Sequence, residues 1–192
     1  PGVMTYICTT CGKVLYTAEI PATGHNYVDG VCTNCGEAEP NFEGDWYIAV
    51  ARSTGNYFYM ENTMQNEKSR FTAVDSGLTA LPDAITEGAM AEYVFHIAKN
   101  ADGSYVMYSN YVEGDNKYVG WNGGTTNTAT LVAEANARAF TVAKNDDGTV
   151  KLELIKSADE TTAEAAARYF SMNGTNNNNY FAWYKSGQRS NL

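Results

Sequence analysis

Charge is what this chain has least of. Lys, Arg, Asp and Glu together make up 18% of its 192 residues, against about a quarter in an ordinary soluble domain. What charge there is leans one way. Thirteen basic residues against 22 acidic ones leave a formal net charge of −9, and no basic patch interrupts it. An acidic surface repels phosphate backbones, so no nucleic-acid partner is expected. Long apolar runs are missing as well. No stretch reaches the roughly 18 apolar residues of a spanning helix, so no membrane insertion is expected. Histidine occurs twice, at His25 and His96, and the G-x-S-x-G, H-E-x-x-H and P-loop motifs are absent. His96 alternates with Phe95 and Ile97, which points it to solvent from a strand. Asp146-Asp147 falls in a hairpin turn and Asp159-Glu160 at a helix start, so neither reads as a glycosidase carboxylate pair. Asp102 and Asp147 lack the spaced oxygen ligands of a calcium loop. The expectation is a protein that is not an enzyme.

What is present points to a folded, binding-type β-protein. Hydrophobic residues reach 44%, enough to bury a core, and aromatics reach 12%, led by 14 tyrosines. The length suits one ordinary domain plus a small one. Tyr, Asn, Thr and Gly in quantity, with little charge, suit surfaces that bind through aromatic and amide groups. The chain opens at Pro1 with no apolar signal-peptide core in view. Such a start is expected of a processed product, of a piece of a longer protein, or of an engineered remnant.

All four cysteines lie in the first 35 residues, as two C-x-x-C pairs, Cys8/Cys11 and Cys32/Cys35, separated by 20 residues. This is the spacing of a four-thiolate zinc site. Gly12 and Gly36 follow the pairs, where a knuckle turning its N–H groups toward sulfur calls for positive φ. Disulfides are the alternative, in any of three connectivities. Some cross-link is needed, because a unit spanning residues 1–38 is too short to bury a sufficient core. A zinc held by four cysteines is coordinatively closed and therefore structural. His25 could replace a thiolate; packing or support behind the ligands is the favoured role.

The segments YICTTCGK (6–13), IPATGHNY (20–27) and GVCTNCG (30–36) together resemble a short repeat of large surface and secreted proteins of anaerobic gut bacteria. The resemblance covers about residues 4–37. It implies a zinc-ribbon-like spacer or stalk on an extracellular or cell-surface protein, often in tandem copies. The stretch that usually precedes the repeat is absent, which implies a larger parent protein.

Residues 39–43 carry Pro40 among polar neighbours and are read as a linker. From Gly44 to Leu192 the pattern is β. Residues 94–108 form a predicted hairpin around Asp102-Gly103, and residues 139–152 repeat it 45 positions on around Asp147-Gly148. A second element recurs at 56–62, 117–123 and 168–174, in steps of 61 and 51. Three copies with hairpins between them predict a threefold, mainly β architecture, a β-trefoil-like barrel; a β-sandwich is the alternative. The longer first step suggests an insertion around 73–90, read as a long loop or short helix. Residues 159–168 suit a short helix, with a plain surface loop as the other reading.

The closing segments YFSMN (169–173) and NYFAWYKSGQ (179–188) resemble the end of a β module attached to secreted hydrolases and lipoproteins of gut Bacteroidota and Firmicutes. The likeness spans roughly residues 45–192 and extends to ricin-type lectin trefoils, although the Gln-x-Trp motif of those lectins is missing. It implies an accessory domain whose last strand would open at Ser190-Asn191-Leu192. The residues themselves suggest glycan or cell-surface ligand binding, since sugars stack on aromatic rings and bond amides. One candidate group is Trp121 with Tyr118, Asn122 and Asn127. The other is Trp183 with Asn179, Tyr180 and Tyr184, beside the Asn176–Asn179 loop. Both tryptophans also fit plain core packing at strand ends. A structural spacer, or a domain docking onto a secreted hydrolase, is the competing role.

Overall fold

The computed structural model describes residues 2–20, 27–28, 30–51, 55–65, 69–77, 79–80, 91–145, 147–157, 167–173, 179–185 and 192. His25, Asp146, Asp159-Glu160, the Asn176–Asn178 part of the polar loop, the Ser186–Gln188 turn and most of the predicted helix at 159–168 lie outside them. The chain divides into two compact units, residues 1–41 and 42–192, with the boundary inside the segment read as a linker. Local bonds explain why that linker is short. The Glu39 N–H donates to the Gly30 carbonyl, which ties residue 39 to the first unit. Phe42 packs on the core of the second, and its carbonyl accepts from the Trp46 indole at 2.7 Å.

The first unit consists of two small antiparallel pairs. β1 (Gly2–Ile7) pairs with β2 (Val14–Ile20), and β3 (Tyr27–Val28) pairs with β4 (Val31–Cys32). A knuckle follows β1 and another follows β4, and the two are built alike. In the first, Cys8 N–H donates to Lys13 and Gly12 N–H to Cys8; in the second, Cys32 N–H donates to Glu37 and Gly36 N–H to Cys32. Gly12 and Gly36 sit at φ 71° and 78°, where a side chain would be strained.

Among the described residues the second unit has one hydrogen-bonded sheet of twelve strands: β5 (Gly44–Tyr47), β6 (Ala49–Ala51), β7 (Tyr57–Met64), β8 (Phe71–Asp75), β9 (Val94–Lys99), β10 (Tyr105–Tyr108), β11 (Tyr118–Gly120), β12 (Thr130–Val132), β13 (Phe140–Lys144), β14 (Val150–Leu154), β15 (Arg168–Asn173) and β16 (Tyr180–Lys185). Its hydrogen-bonded order runs β12-β11-β10-β13-β14-β15-β16-β8-β7-β6, with β9 on β10 and β5 on β9. The mainly β class is as expected, and the closed barrel is corrected. The path ends at β12 and β6, so among the described residues the barrel is not closed. β12 has three residues and pairs only with β11. Arg168, expected at a helix end, instead opens β15.

Threefold recurrence is nonetheless visible. The hairpins β6–β7, β9–β10 and β13–β14 share one register, with Ala49 opposite Tyr59, Ile97 opposite Met107 and Val142 opposite Leu152. Their turn glycines, Gly55, Gly103 and Gly148, lie at φ 90°, 85° and 84°. In the last two turns the bonding matches as well. Asn100 and Asn145 amides each reach the hydroxyl four residues on at 2.9 Å, and Asp102 and Asp147 accept from the Ser104 and Thr149 N–H at 3.0 Å. Those side-chain and backbone bonds hold both carboxyls below the usual Asp range. The other repeated element supplies β7, β11 and β15, and each pairs with the strand after it. Leu192 exchanges two backbone bonds with Val150, at 2.8 and 3.0 Å.

The core is aromatic. Phe71 meets Phe95 edge-on at 5.9 Å, and Phe170 meets Trp183 edge-on at 4.9 Å, separations at which such rings attract.

Candidate ligand-binding strip

Most of the ring residues singled out from sequence belong to this core. Trp183 is fully buried, and Tyr180 and Tyr184 are buried with it. The reason is local: five consecutive residues of β16 are buried, as in a strand covered on both faces. Trp121 is 6% exposed, with the Arg168 and Arg138 guanidiniums 4.4 and 5.4 Å from its ring. The burial of both tryptophans matches the core-packing alternative. The amides are engaged or turned elsewhere. The Asn122 side chain donates to Ser69 at 2.7 Å. Asn127 accepts from the buried Arg168 and from the Lys185 N–H, each at 3.4 Å. Asn179 keeps its side-chain oxygen buried.

Tyr118 is different. Pairing sets Asp45 of β5 opposite His96 of β9, His96 opposite Tyr108 of β10, and Tyr108 opposite Tyr118 of β11. Residues in direct cross-strand register share a face, so these four form a row across four strands. The row faces outward, since the alternate residues Phe95, Ile97 and Met107 are buried. His96 and Tyr108 ring centroids are 5.0 Å apart, and Tyr108 and Tyr118 are 4.8 Å apart. At one end His96 Nδ1 and Asp45 Oδ1 share a 2.7 Å hydrogen bond, with side chains 27% and 55% exposed. An ionised carboxylate only accepts, so Nδ1 is the donor in this bond. At the other end the Glu134 carboxylate is near enough for its charge to act on the Tyr118 phenol. The Lys117 ammonium lies 5.3 Å from the Tyr108 ring centre.

The electrostatics of the strip are acidic. Burial, then the charges of Asp45, Glu134 and Glu43, push the Tyr108 phenol above its usual range. Burial and Glu134 do the same to Tyr118. Both phenols therefore stay neutral donors through the physiological range. An apolar cavity of about 200 Å³ lies elsewhere, bounded by Trp46, Ile48, Val142, Val150, Leu152 and Leu192. Its side chains offer little to a polyhydroxy ligand.

In the first unit no disulfide joins any of the four cysteines. Hydrogen bonding from Cys11 pulls the Cys8 thiol down. For Cys35 the Glu37 backbone acts downward, but the Cys32 thiol, burial and the Glu37 carboxylate outweigh it and the net shift is upward. Each knuckle thus brings its own two thiols together, which fits half of a tetrahedral site. Among the described residues no group of three or more His, Cys, Asp or Glu gathers around one point. No helix among the described residues is long and apolar enough to cross a membrane.

No protein-family model matches the chain, and comparisons with curated proteins and with solved structures find no match either.

Proposed function

We propose that residues 42–192 are a non-catalytic extracellular binding module that takes a carbohydrate on the strip Asp45–His96–Tyr108–Tyr118. The observation that carries this reading is the row itself: three part-exposed rings in register, with the Asp45 carboxylate hydrogen-bonded at one end. Ring faces suit the apolar faces of sugars, and the phenol, imidazole and carboxylate groups suit their hydroxyls. The three hairpins of equal register support a β-trefoil-like plan. The module acts within a larger secreted or cell-surface bacterial protein. Its companion, residues 1–41, is a zinc-ribbon-like spacer in which Cys8, Cys11, Cys32 and Cys35 hold a structural zinc. When bound, the zinc supplies a cross-link and no chemistry.

A glycan array of the whole chain beside Tyr108→Ala and Tyr118→Ala tests the binding role. Binding that disappears in variants of unchanged melting temperature is the expected result. A wild type that binds no glycan overturns it in favour of a spacer or a domain docking on a secreted hydrolase. One observation favours that second reading: Val3, Ile7, Val14, Leu15 and Tyr16 of the first unit are exposed apolar side chains.

A further inference from the structure

We propose that the sugar selected by the strip is cationic, a hexosamine unit carrying a free ammonium in place of an N-acetyl group. This rests on the carbohydrate reading above and narrows it to one class.

The geometry argues from both ends of the row. Asp45 stands at one end, bonded to His96 at 2.7 Å, and at the other the charge of Glu134 acts on the Tyr118 phenol. Between them lie two tyrosine faces, and a tyrosine face attracts a cation through its quadrupole. The chain already demonstrates this at the same ring, because the Lys117 ammonium lies 5.3 Å from the Tyr108 ring centre. Lys117 is therefore an internal competitor for the ligand's charge. The charge of Glu43 adds to the field at Tyr108, and the net charge of −9 extends attraction for cations beyond the site. A neutral N-acetyl sugar gains none of this. An anionic sugar meets Asp45, Glu43 and Glu134 with the wrong sign.

The experiment compares glucosamine oligomers with N-acetylglucosamine oligomers of equal length by titration calorimetry of the whole chain, at low and at high salt. The amine form is expected to bind about tenfold more tightly, with the gap closing as salt screens the exposed carboxylates. Lys117→Gln removes the competitor and is expected to raise the amine preference about threefold, a gain that a damaged fold cannot mimic. Glu134→Gln is expected to lower the preference while N-acetyl binding stays put. Equal affinity for the two oligomers, or a preference for the acetylated one, overturns this inference and leaves the carbohydrate reading standing. Binding of neither oligomer or of any array glycan overturns both.

Discussion

In residues 1–41, Val3 and Leu15 stand 65% and 66% exposed; in residues 42–192, Phe71, Phe95, Phe140, Phe181 and Trp183 have no exposed surface. Both units are β-structure, and both are rich in apolar side chains, so composition does not separate them. Size does. A two-stranded hairpin is marginal on its own, and a chain of about 40 residues rarely buries enough surface to fold without a cross-link. Among the described residues, 1–41 have two short pairs of strands and two thiol knuckles, and 42–192 have twelve strands packed around one aromatic core. The larger unit obtains its stability from burial; in the proposed reading the smaller obtains it from a zinc held by its cysteines.

Experiments that remove one source of stability at a time sharpen this contrast. The largest effect is expected from the metal. A structural zinc contributes about 10–16 kcal/mol of folding free energy in small peptides. Chelation, or Cys32→Ser, should therefore abolish the amide dispersion of residues 1–41 in NMR spectra while residues 42–192 remain folded. Unchanged spectra under chelation would remove zinc from the account. Next in size is Trp183→Ala, which should cost about 3–5 kcal/mol by denaturant unfolding. The matching change at the exposed Tyr16 should stay within about 0.5 kcal/mol. Equal losses at the two positions would contradict the contrast between buried and exposed rings. Smaller is Gly120→Ala: a Cβ there would stand 2.8 Å from a Val132 methyl, an overpacking cost of about 1–3 kcal/mol.

The smallest effect is expected from pH. Asp102 and Asp147 are held below their ordinary range by Ser104 and Thr149. A depressed carboxyl contributes stability that is complete above its unfolded pKa, about 4, and is lost as pH falls through the lower folded value. Acid titration of Asp102→Asn and Asp147→Asn should therefore show a shallower loss of stability below about pH 4 than the wild type. Parallel curves would mean that these turns contribute nothing to the pH dependence.

The hairpin turns were the most legible part of the second unit. Asp-Gly between alternating apolar residues specifies both a turn and a register, and the pairs Ile97–Met107 and Val142–Leu152 follow from it. The third hairpin, residues 49–59, escaped because its turn carries Gly55 without the Asp-Gly pair. The knuckles were legible for the same local reason, since Gly12 and Gly36 mark turns complete within six residues. The ligand strip was only half legible. Opposition of His96 to Tyr108 is implied by the Asp102-Gly103 turn, but Asp45 and Tyr118 reach the row through pairings that no turn dictates. The sequence left Trp121 and Trp183 between surface and core, because an aromatic run looks the same at a surface and in a strand covered on both sides.

The sequence by itself determined that the chain is mainly β, that its cysteines form two like knuckles, and that its second unit repeats. Each of these depends on contacts a few residues apart, where spacing and turn chemistry act directly. Tertiary structure alone decided which aromatic rings face solvent. It joined β5, β9, β10 and β11 into the strands that carry the strip, and it left the sheet an open path. Those outcomes depend on long-range strand neighbours. The neighbours are set by the packing of the whole core, and no local segment encodes it.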